Sequence, residues 1–316
     1  MNRLSSLASV ADTRSVLEQF GLMTKKALGQ HFLINDGVVA RICNVADLTE
    51  TDKVLEIGPG IGTLTEALLK TAGQVVAIER DADLIEVLEQ TCAPWSDAFT
   101  LISADALTIH ADQLPFAPNK LVANLPYAVA ATLVLDFFER IPSLESATVM
   151  VQAEVADRMS AKLGTKNYGA YTVKLHLLAH PVNRFSVSEG NFFPPPRVKS
   201  AVIRLDRNEE QLDPALLHAT MIMADAAFEN RRKTIANSMK RYFERTLSAA
   251  SSFPQAEGRS PLQTQGTASS NSLCDQLALL PHLLDQAGID PKLRGEALTV
   301  DDFLRLGETY LHLMQA

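Results

Sequence analysis

The chain has 316 residues, 47% of them hydrophobic, and a formal net charge of −8. That length suits two domains, and that apolar content supports a packed core rather than a disordered chain. No apolar run approaches the ~20 residues a membrane-spanning helix needs, no secretory signal opens the sequence, and Cys43, Cys92 and Cys274 form no C-x-x-C pair. No metal site and no disulfide framework are expected, and a reducing cytoplasm fits.

The acidity is unevenly spread. Residues 51–150 carry 5 basic and 14 acidic side chains, whereas residues 151–250 carry 15 basic and 10 acidic ones. This asymmetry suits an acidic region for a cationic small molecule and a basic surface for phosphates; ordinary clustering of surface charge gives the same numbers.

The first dozen residues are small and polar and read as mobile, and Thr13–Phe20 can form a short helix. From Lys53 to Val151, short β-branched runs alternate with helical ones. Strands are predicted at Val54–Ile57, Gln74–Glu79, Phe99–Ser103, Lys120–Ala123 and Ala147–Val151, with helices through Leu64–Leu68 and Ala82–Gln90. That alternation predicts a doubly wound, mostly parallel α/β sheet with ligands at the carboxyl ends of its strands. A last strand fits Val198–Leu205. After about residue 208 the pattern turns helical, at Pro214–Glu229, Lys233–Arg245 and Val300–Met314, interrupted by a Ser-, Gln- and Gly-rich stretch at 248–272 that reads as a flexible loop.

Glu56-Ile57-Gly58-Pro59-Gly60-Ile61-Gly62 lies where the first of these strands turns into a helix. Glycines there permit positive φ and let backbone approach a ligand closely. Thr63 stands where a dinucleotide fingerprint needs its last glycine, so a nicotinamide cofactor is not indicated. Glu79, at the end of the next strand, can accept hydrogen bonds from both hydroxyls of a ribose, and Asp105, after the third, can accept from an adenine amino group. Helix N-capping is the other role open to both carboxylates.

Asn124-Leu125-Pro126-Tyr127 closes the fourth strand. It matches the pattern of methyltransferases that act on amino groups, and the chemistry explains the residue types. The lone pair of an adenine N6 is delocalised into the ring. Two acceptors aimed at its hydrogens, the Asn124 side-chain oxygen and the Leu125 carbonyl, draw the nitrogen toward a nucleophilic geometry. Pro126 fixes the backbone, and Tyr127 offers a face for base stacking, a contact worth about 1–3 kcal/mol. A proline turn with a core tyrosine is the plainer alternative. Phe192-Phe193-Pro194-Pro195-Pro196-Arg197-Val198-Lys199-Ser200 is either a stiff segment holding Phe192 against the other face of the base or a connector before the last strand.

Together with Lys26-Ala27-Leu28-Gly29-Gln30-His31-Phe32-Leu33, Arg231-Arg232-Lys233-Thr234-Ile235 and Arg294–Phe303, these motifs resemble the ribosomal RNA adenine dimethyltransferase family, specifically its bacterial small-subunit branch. The similarity runs from about Thr24 to Leu313. The resemblance implies a Rossmann-like methyltransferase domain with a mostly parallel seven-stranded sheet at 24–208, preceded by a flexible extension at 1–23. A helical rRNA-binding domain follows at 209–316. It implies four methyl transfers from S-adenosylmethionine, with S-adenosylhomocysteine as product, converting two adjacent adenosines near the 3′ end of 16S rRNA to N6,N6-dimethyladenosine within the immature 30S subunit.

By the same resemblance His31, Leu33, Gly58, Glu79, Asp105 and Asn124 contact the cofactor, while Leu125, Tyr127 and Phe192 serve the target adenosine. A cytoplasmic monomer with no membrane partner is expected. His31 departs from the asparagine common in bacterial members, and the 248–272 stretch and the overall acidity are also unusual for the branch.

Six cations, Arg231, Arg232, Lys233, Lys240, Arg241 and Arg245, fall within fifteen residues against Glu244 alone. Ile235, Met239, Tyr242 and Phe243 form a helical stripe toward the core, which leaves the cations outward for RNA phosphates, Arg231, Arg232 and Lys233 foremost. A solvated helix face without a partner remains the alternative. An assembly factor that binds the immature subunit, with methylation secondary, is a competing class of function. DNA adenine methylation suits the 124–127 motif equally well but not the Phe192–Ser200 run or the basic helix.

Overall fold

The computed structural model describes residues 3–23, 30–251 and 280–315. The Lys26–Gly29 part of the first motif, Cys274, and the 248–272 loop from residue 252 onward lie outside the described residues. The chain divides into two compact units, one of residues 1–160 and 178–209, the other of 161–177 and 210–316.

The first unit is built on a seven-stranded sheet. Its strands are β2 (Lys53–Ile57), β3 (Gln74–Glu79), β4 (Phe99–Ser103), β5 (Lys120–Asn124), β6 (Ser146–Gln152), β7 (Ala179–Val187) and β9 (Ser200–Arg207), in the order β4-β3-β2-β5-β6-β9-β7. Neighbours from β4 through to β6 are parallel, and β9 is antiparallel to both of its neighbours. A separate two-stranded ribbon pairs β1 (Phe32–Leu33) with β8 (Phe192–Phe193), Leu33 opposite Phe192. Beyond its first residue every position of β2 and β3 is buried, as expected of strands covered on both faces.

The strand order reverses between β2 and β5. Their carboxyl ends therefore diverge into a crevice, the usual place for a ligand in an open sheet. The helix after β2, α3 (Thr63–Leu69), starts from Gly62 at φ +92°. A Cβ there would lie 2.9 Å from the Thr91 hydroxyl, so a glycine is required on both counts. The strands predicted from the sequence between residues 54 and 151 all form, extended by one residue at several ends.

The N-terminal residues depart from the mobility their composition suggested. Helix α1 (Val10–Gln19) is capped by Ser9, and the segment before it is packed down. Ser5 is fully buried. The Ser5 hydroxyl, the Ser6 backbone N–H and the Ser6 hydroxyl all donate to one oxygen of Glu66 in α3, at 3.1, 2.7 and 3.0 Å. The amides of Leu4 and Ser5 donate to Asp36, at the start of α2 (Asp36–Ala46). Small polar residues read as loose when counted; here they are ordered by two acceptors supplied from elsewhere in the chain.

The second unit is helical, formed by α7 (Ala170–Leu178) up to residue 177, α8 (Pro214–Phe228), α9 (Ile235–Ser251), α10 at 280–286, and α11 (Val300–Gln315). Its core holds Tyr168, Val173, Met223, Ile235, Met239, Phe243, Leu283 and Phe303. The boundary drawn at residue 208 is therefore incomplete. Residues 161–177 pack with the later helices because Tyr168 and Val173 are core residues of that cluster, and nothing in their own sequence shows a partner some fifty residues away.

Candidate active site

A cavity of about 560 Å³ opens at the carboxyl ends of the strands, a volume typical of small-molecule sites. The turns after β2, β3, β4 and β5 all contribute to its wall, as do residues 30–33 and Gln152. His31, Leu33, Gly58, Glu79, Asp105, Asn124, Leu125 and Tyr127 all line it. Residues separated by more than ninety positions in the chain are thus brought around one space.

Gly58 and Gly60 form its floor at φ +66° and +65°, conformations that side chains rarely adopt. A Cβ at Gly60 would press to 3.0 Å from the Phe32 ring, so glycine keeps both the backbone shape and the room. Glu79 accepts from the backbone amides of Asp81 at 2.8 Å and Gly60 at 3.3 Å. Burial pushes its carboxyl above the ordinary range, with those backbone hydrogen bonds opposing the shift. Asp105 caps a short 3-10 turn through the Leu107 amide and pairs with Arg80 at 3.3 Å. Asp105 thus has a capping role and still lines the cavity.

At the end of β5 the Asn124 amide nitrogen donates to the His31 carbonyl at 3.0 Å, and the Leu125 amide donates to Met150 at 3.1 Å. The first bond orients the Asn124 side chain and leaves its oxygen to accept. Tyr127 is held twice. Its hydroxyl lies 2.5 Å from Ser200 Oγ, and the His31 ring stacks on it at 5.9 Å between centroids and 26° between planes. His31 is fixed in turn by Nδ1 donating to the Pro194 carbonyl at 2.8 Å. Burial raises the Tyr127 pKa, the Ser200 contact partly opposing, so the phenol is neutral across the physiological range.

Phe192 stands apart from the rest. It is 2% exposed, belongs to the core of the first unit, and is absent from the cavity wall. Its place in β8, paired with Leu33, makes it a support for the β1 backbone rather than a face for a base. The aromatic–proline run could not show this, because it gives no indication of which of two adjacent phenylalanines points inward.

Four participants went unread in the sequence. Glu56 is a charged residue in the otherwise apolar strand Val-Leu-Glu-Ile and is 1% exposed; that lone charge was the available signal. Gln30 and Asp81 join across the cavity wall, Gln30 Nε2 donating to Asp81 at 2.7 Å. Ser200 was quoted within a motif without a role.

The basic group lies in the second unit. Of the predicted stripe, Ile235, Met239 and Phe243 are buried and Tyr242 is half-buried. Arg231, Arg232 and Lys233 occupy a turn before α9 rather than its first turn. Arg231 donates to the carbonyls of Lys166 and Tyr168, both at 2.8 Å, and approaches Glu296 at 3.5 Å. Arg245 makes a two-pronged bond to Glu229 at 2.9 and 3.1 Å. Among the described residues, the exposed side chains of Arg232, Lys233 and Arg241 have no ion pair.

The family model for ribosomal RNA adenine dimethylase matches residues 21–278. A small-subunit ribosomal RNA methyltransferase A of Rhodococcus erythropolis is 37% identical over 309 residues, covering 96% of this chain and 93% of that protein. One from Listeria monocytogenes is 36% identical, covering 95% of each chain. Among solved structures, a dimethyladenosine transferase from Plasmodium falciparum superposes with a TM-score of 0.66 at 24% identity, over 87% of this chain and 96% of that one. The 23S rRNA methyltransferase ErmE gives 0.59 at 26% identity, over 88% and 98%. With a family match over most of its length and relatives of this identity, the chain belongs to the ribosomal RNA adenine dimethylase family, whose members are S-adenosylmethionine-dependent enzymes.

Proposed function

We propose that this enzyme methylates N6 of two adjacent adenosines in a hairpin loop near the 3′ end of 16S rRNA, within the assembling 30S particle, converting both to N6,N6-dimethyladenosine. The observation that carries the reading is the arrangement at 124–127: an acceptor oxygen on Asn124 and a clamped Tyr127 ring at the mouth of a cavity lined by carboxyls. The relatives' names supply the small subunit.

The cavity fits S-adenosylmethionine by its own features: the glycine floor that a Cβ would crowd, and buried carboxyls suited to a cation and to ribose hydroxyls. Glu79 would accept from the ribose and Asp105 from the adenine amine, with His31, Leu33, Gly58 and Asn124 completing the contacts. When bound, the cofactor supplies an electrophilic methyl group carried on a sulfonium.

The protein's own work is positional. The Asn124 side-chain oxygen and the Leu125 carbonyl accept the amine hydrogens of the target base, which localises the nitrogen lone pair. Tyr127 holds the base by stacking. No strong general base is required when orientation contributes this much. Phe192 acts only by fixing β1. Phosphates are met by the unpaired cations Arg232, Lys233 and Arg241, with Arg231 bracing their turn. The enzyme works as a cytoplasmic monomer in this reading.

The test supplies labelled S-adenosylmethionine with unmethylated 30S particles, 50S particles, naked 16S rRNA and duplex DNA. Dimethyladenosine on 30S alone supports the proposal. Label on 50S or on DNA overturns it.

A further inference from the structure

Glu56, Glu79 and Asp81 are 1, 7 and 7% exposed and all line the one cavity. The only Lys or Arg side chain among the described lining residues is Arg80, which is exposed and paired with Asp105. Two of the three buried carboxyls have their oxygens engaged. Glu79 accepts the two backbone amides already described, and Asp81 accepts from Gln30 and from its own turn at Asp83.

Glu56 differs. Its Oε2 makes no hydrogen bond, and neither does the buried hydroxyl of Thr63 beside the same turn. The titratable groups acting on it are Glu79, a like charge on β3, and the thiols of Cys43 in α2 and Cys92 after α4 (Ile85–Thr91). Both thiols are pushed up to about 12 by burial and are neutral. No cation is among its partners. An isolated buried carboxylate is costly and takes up a proton instead. Burial above all, with Glu79 pushing the same way and Thr65 opposing, raises the Glu56 pKa to about 8.

We propose that Glu56 is a carboxylic acid in the ligand-free cavity and loses its proton to solvent on uptake of a cationic methyl donor, which lets the site favour that donor over its product with an uncharged sulfur. The O–H bond of Glu56 breaks, the proton passes to bulk water or buffer, and the carboxylate left behind offsets the incoming positive charge. Once the sulfur is uncharged, the same carboxyl regains a proton and its contribution to retention is lost. This inference rests on the S-adenosylmethionine reading of the cavity and assigns Glu56 as a residue that sets donor-against-product specificity.

The experiment is calorimetric titration of the full chain and of Glu56→Gln with S-adenosylmethionine and with S-adenosylhomocysteine. Two buffers of different ionisation enthalpy are used from about pH 6 to pH 8, with thermal unfolding to verify that the variant folds. The expected result is about one more proton released per donor bound by the wild type than by Glu56→Gln. No such excess is expected with the product. Subtracting the variant removes any proton from the ligand's own amine. The wild-type preference for donor over product should rise with pH by up to about tenfold per unit below the Glu56 pKa, and flatten above it.

An infrared difference spectrum of the wild type gives a second measurement independent of the variant. The protonated-carboxyl band should disappear with donor and persist with product. Donor binding without excess proton release, or with that band unchanged, overturns the proposal alone. Failure of the donor to bind at all overturns the cofactor reading and the proposal with it.

Discussion

The Tyr127 hydroxyl and Ser200 Oγ lie 2.5 Å apart, joining the end of β5 to the first residue of β9. Ser200 is fully buried and cannot follow a moving partner. The phenol is therefore anchored at its tip while His31 stacks on one ring face, and the proposed stacking of the target base falls to the opposite face. Removing either oxygen should loosen the ring without emptying the site. Ser200→Ala and Tyr127→Phe are each expected to lower kcat/KM for the RNA substrate by roughly tenfold, equivalent to about 1.4 kcal/mol. The double variant should fall by little more than either single one, because both delete the same bond. Full additivity in steady-state kinetics would show that the two oxygens act separately.

The acceptor role proposed for Asn124 bears on the chemistry itself. The side-chain nitrogen is committed to the His31 carbonyl, so truncation removes both the acceptor for the amine and a strut of the cavity wall. Asn124→Ala should reduce single-turnover methylation by about 10²-fold or more, on the scale of losing one preorganised polar contact at a reacting centre. The half-buried position implies a small change in melting temperature. A variant that melts normally and still methylates at the wild-type rate would remove Asn124 from the mechanism.

Phe192 separates two roles that the sequence left open. As a base-stacking residue it would affect catalysis selectively; as a 2%-exposed core residue it affects stability. Phe192→Ala is expected to cost about 3–5 kcal/mol in denaturant unfolding. Phe192→Leu, which keeps most of the apolar volume, should retain most of the turnover measured at saturating RNA. A large kcat loss in a fully folded Phe192→Leu protein would restore the stacking role.

The sheet was legible because β2, β3, β5 and β6 each carry a buried apolar run, the edge strand β4 is β-branched and half-buried, and all alternate with helices at ordinary spacing, so local pattern and tertiary environment agree. The cavity was legible for the same reason: Gly58, Glu79, Asp105 and Asn124 all stand at strand ends. What escaped depends on contacts distant in sequence. Ser200 is 73 residues from Tyr127, Glu66 orders serines 60 residues before it, and Tyr168 is buried by helices that come after it. Glu56 escaped for another reason, since burial of a single charge inside a strand is a property of the packed sheet and not of the motif around it.

Arg231 and its two neighbours should prove separable. Arg231 bridges Lys166, Tyr168 and Glu296, so Arg231→Glu places a carboxylate among two carbonyls and another carboxylate and should destabilise the second unit by about 1–3 kcal/mol. Arg232→Glu with Lys233→Glu touches no described ion pair and should leave thermal unfolding unchanged. Affinity for the 30S particle should fall in that double variant, and the slope of log affinity against log salt should flatten by about one to two, as two phosphate contacts are lost. Unchanged particle affinity at moderate salt would count against these residues as RNA contacts.

Glu66 gives the pH dependence that is simplest to isolate. Burial pushes its carboxyl up, but the Lys70 contact and the Ser6 amide and hydroxyl outweigh that and hold it below the ordinary glutamate value. A carboxyl with a depressed folded-state pKa contributes stability that is fully present above its unfolded pKa of 4.5 and is lost as pH falls through the folded value. Acidification from pH 4.5 down through the lowered Glu66 value should therefore loosen the Ser5–Ser6 segment from α3 before the sheet unfolds, since Glu66 is its anchor there. Hydrogen exchange at the Ser6 amide should accelerate in that window, and Glu66→Gln, which retains one acceptor oxygen but not the charge, should show faster exchange already at neutral pH. A Ser6 amide equally protected in wild type and variant across that range would mean that the segment is held by its apolar contacts, Leu7 against Phe32 and Ile61 among them, and not by the carboxylate.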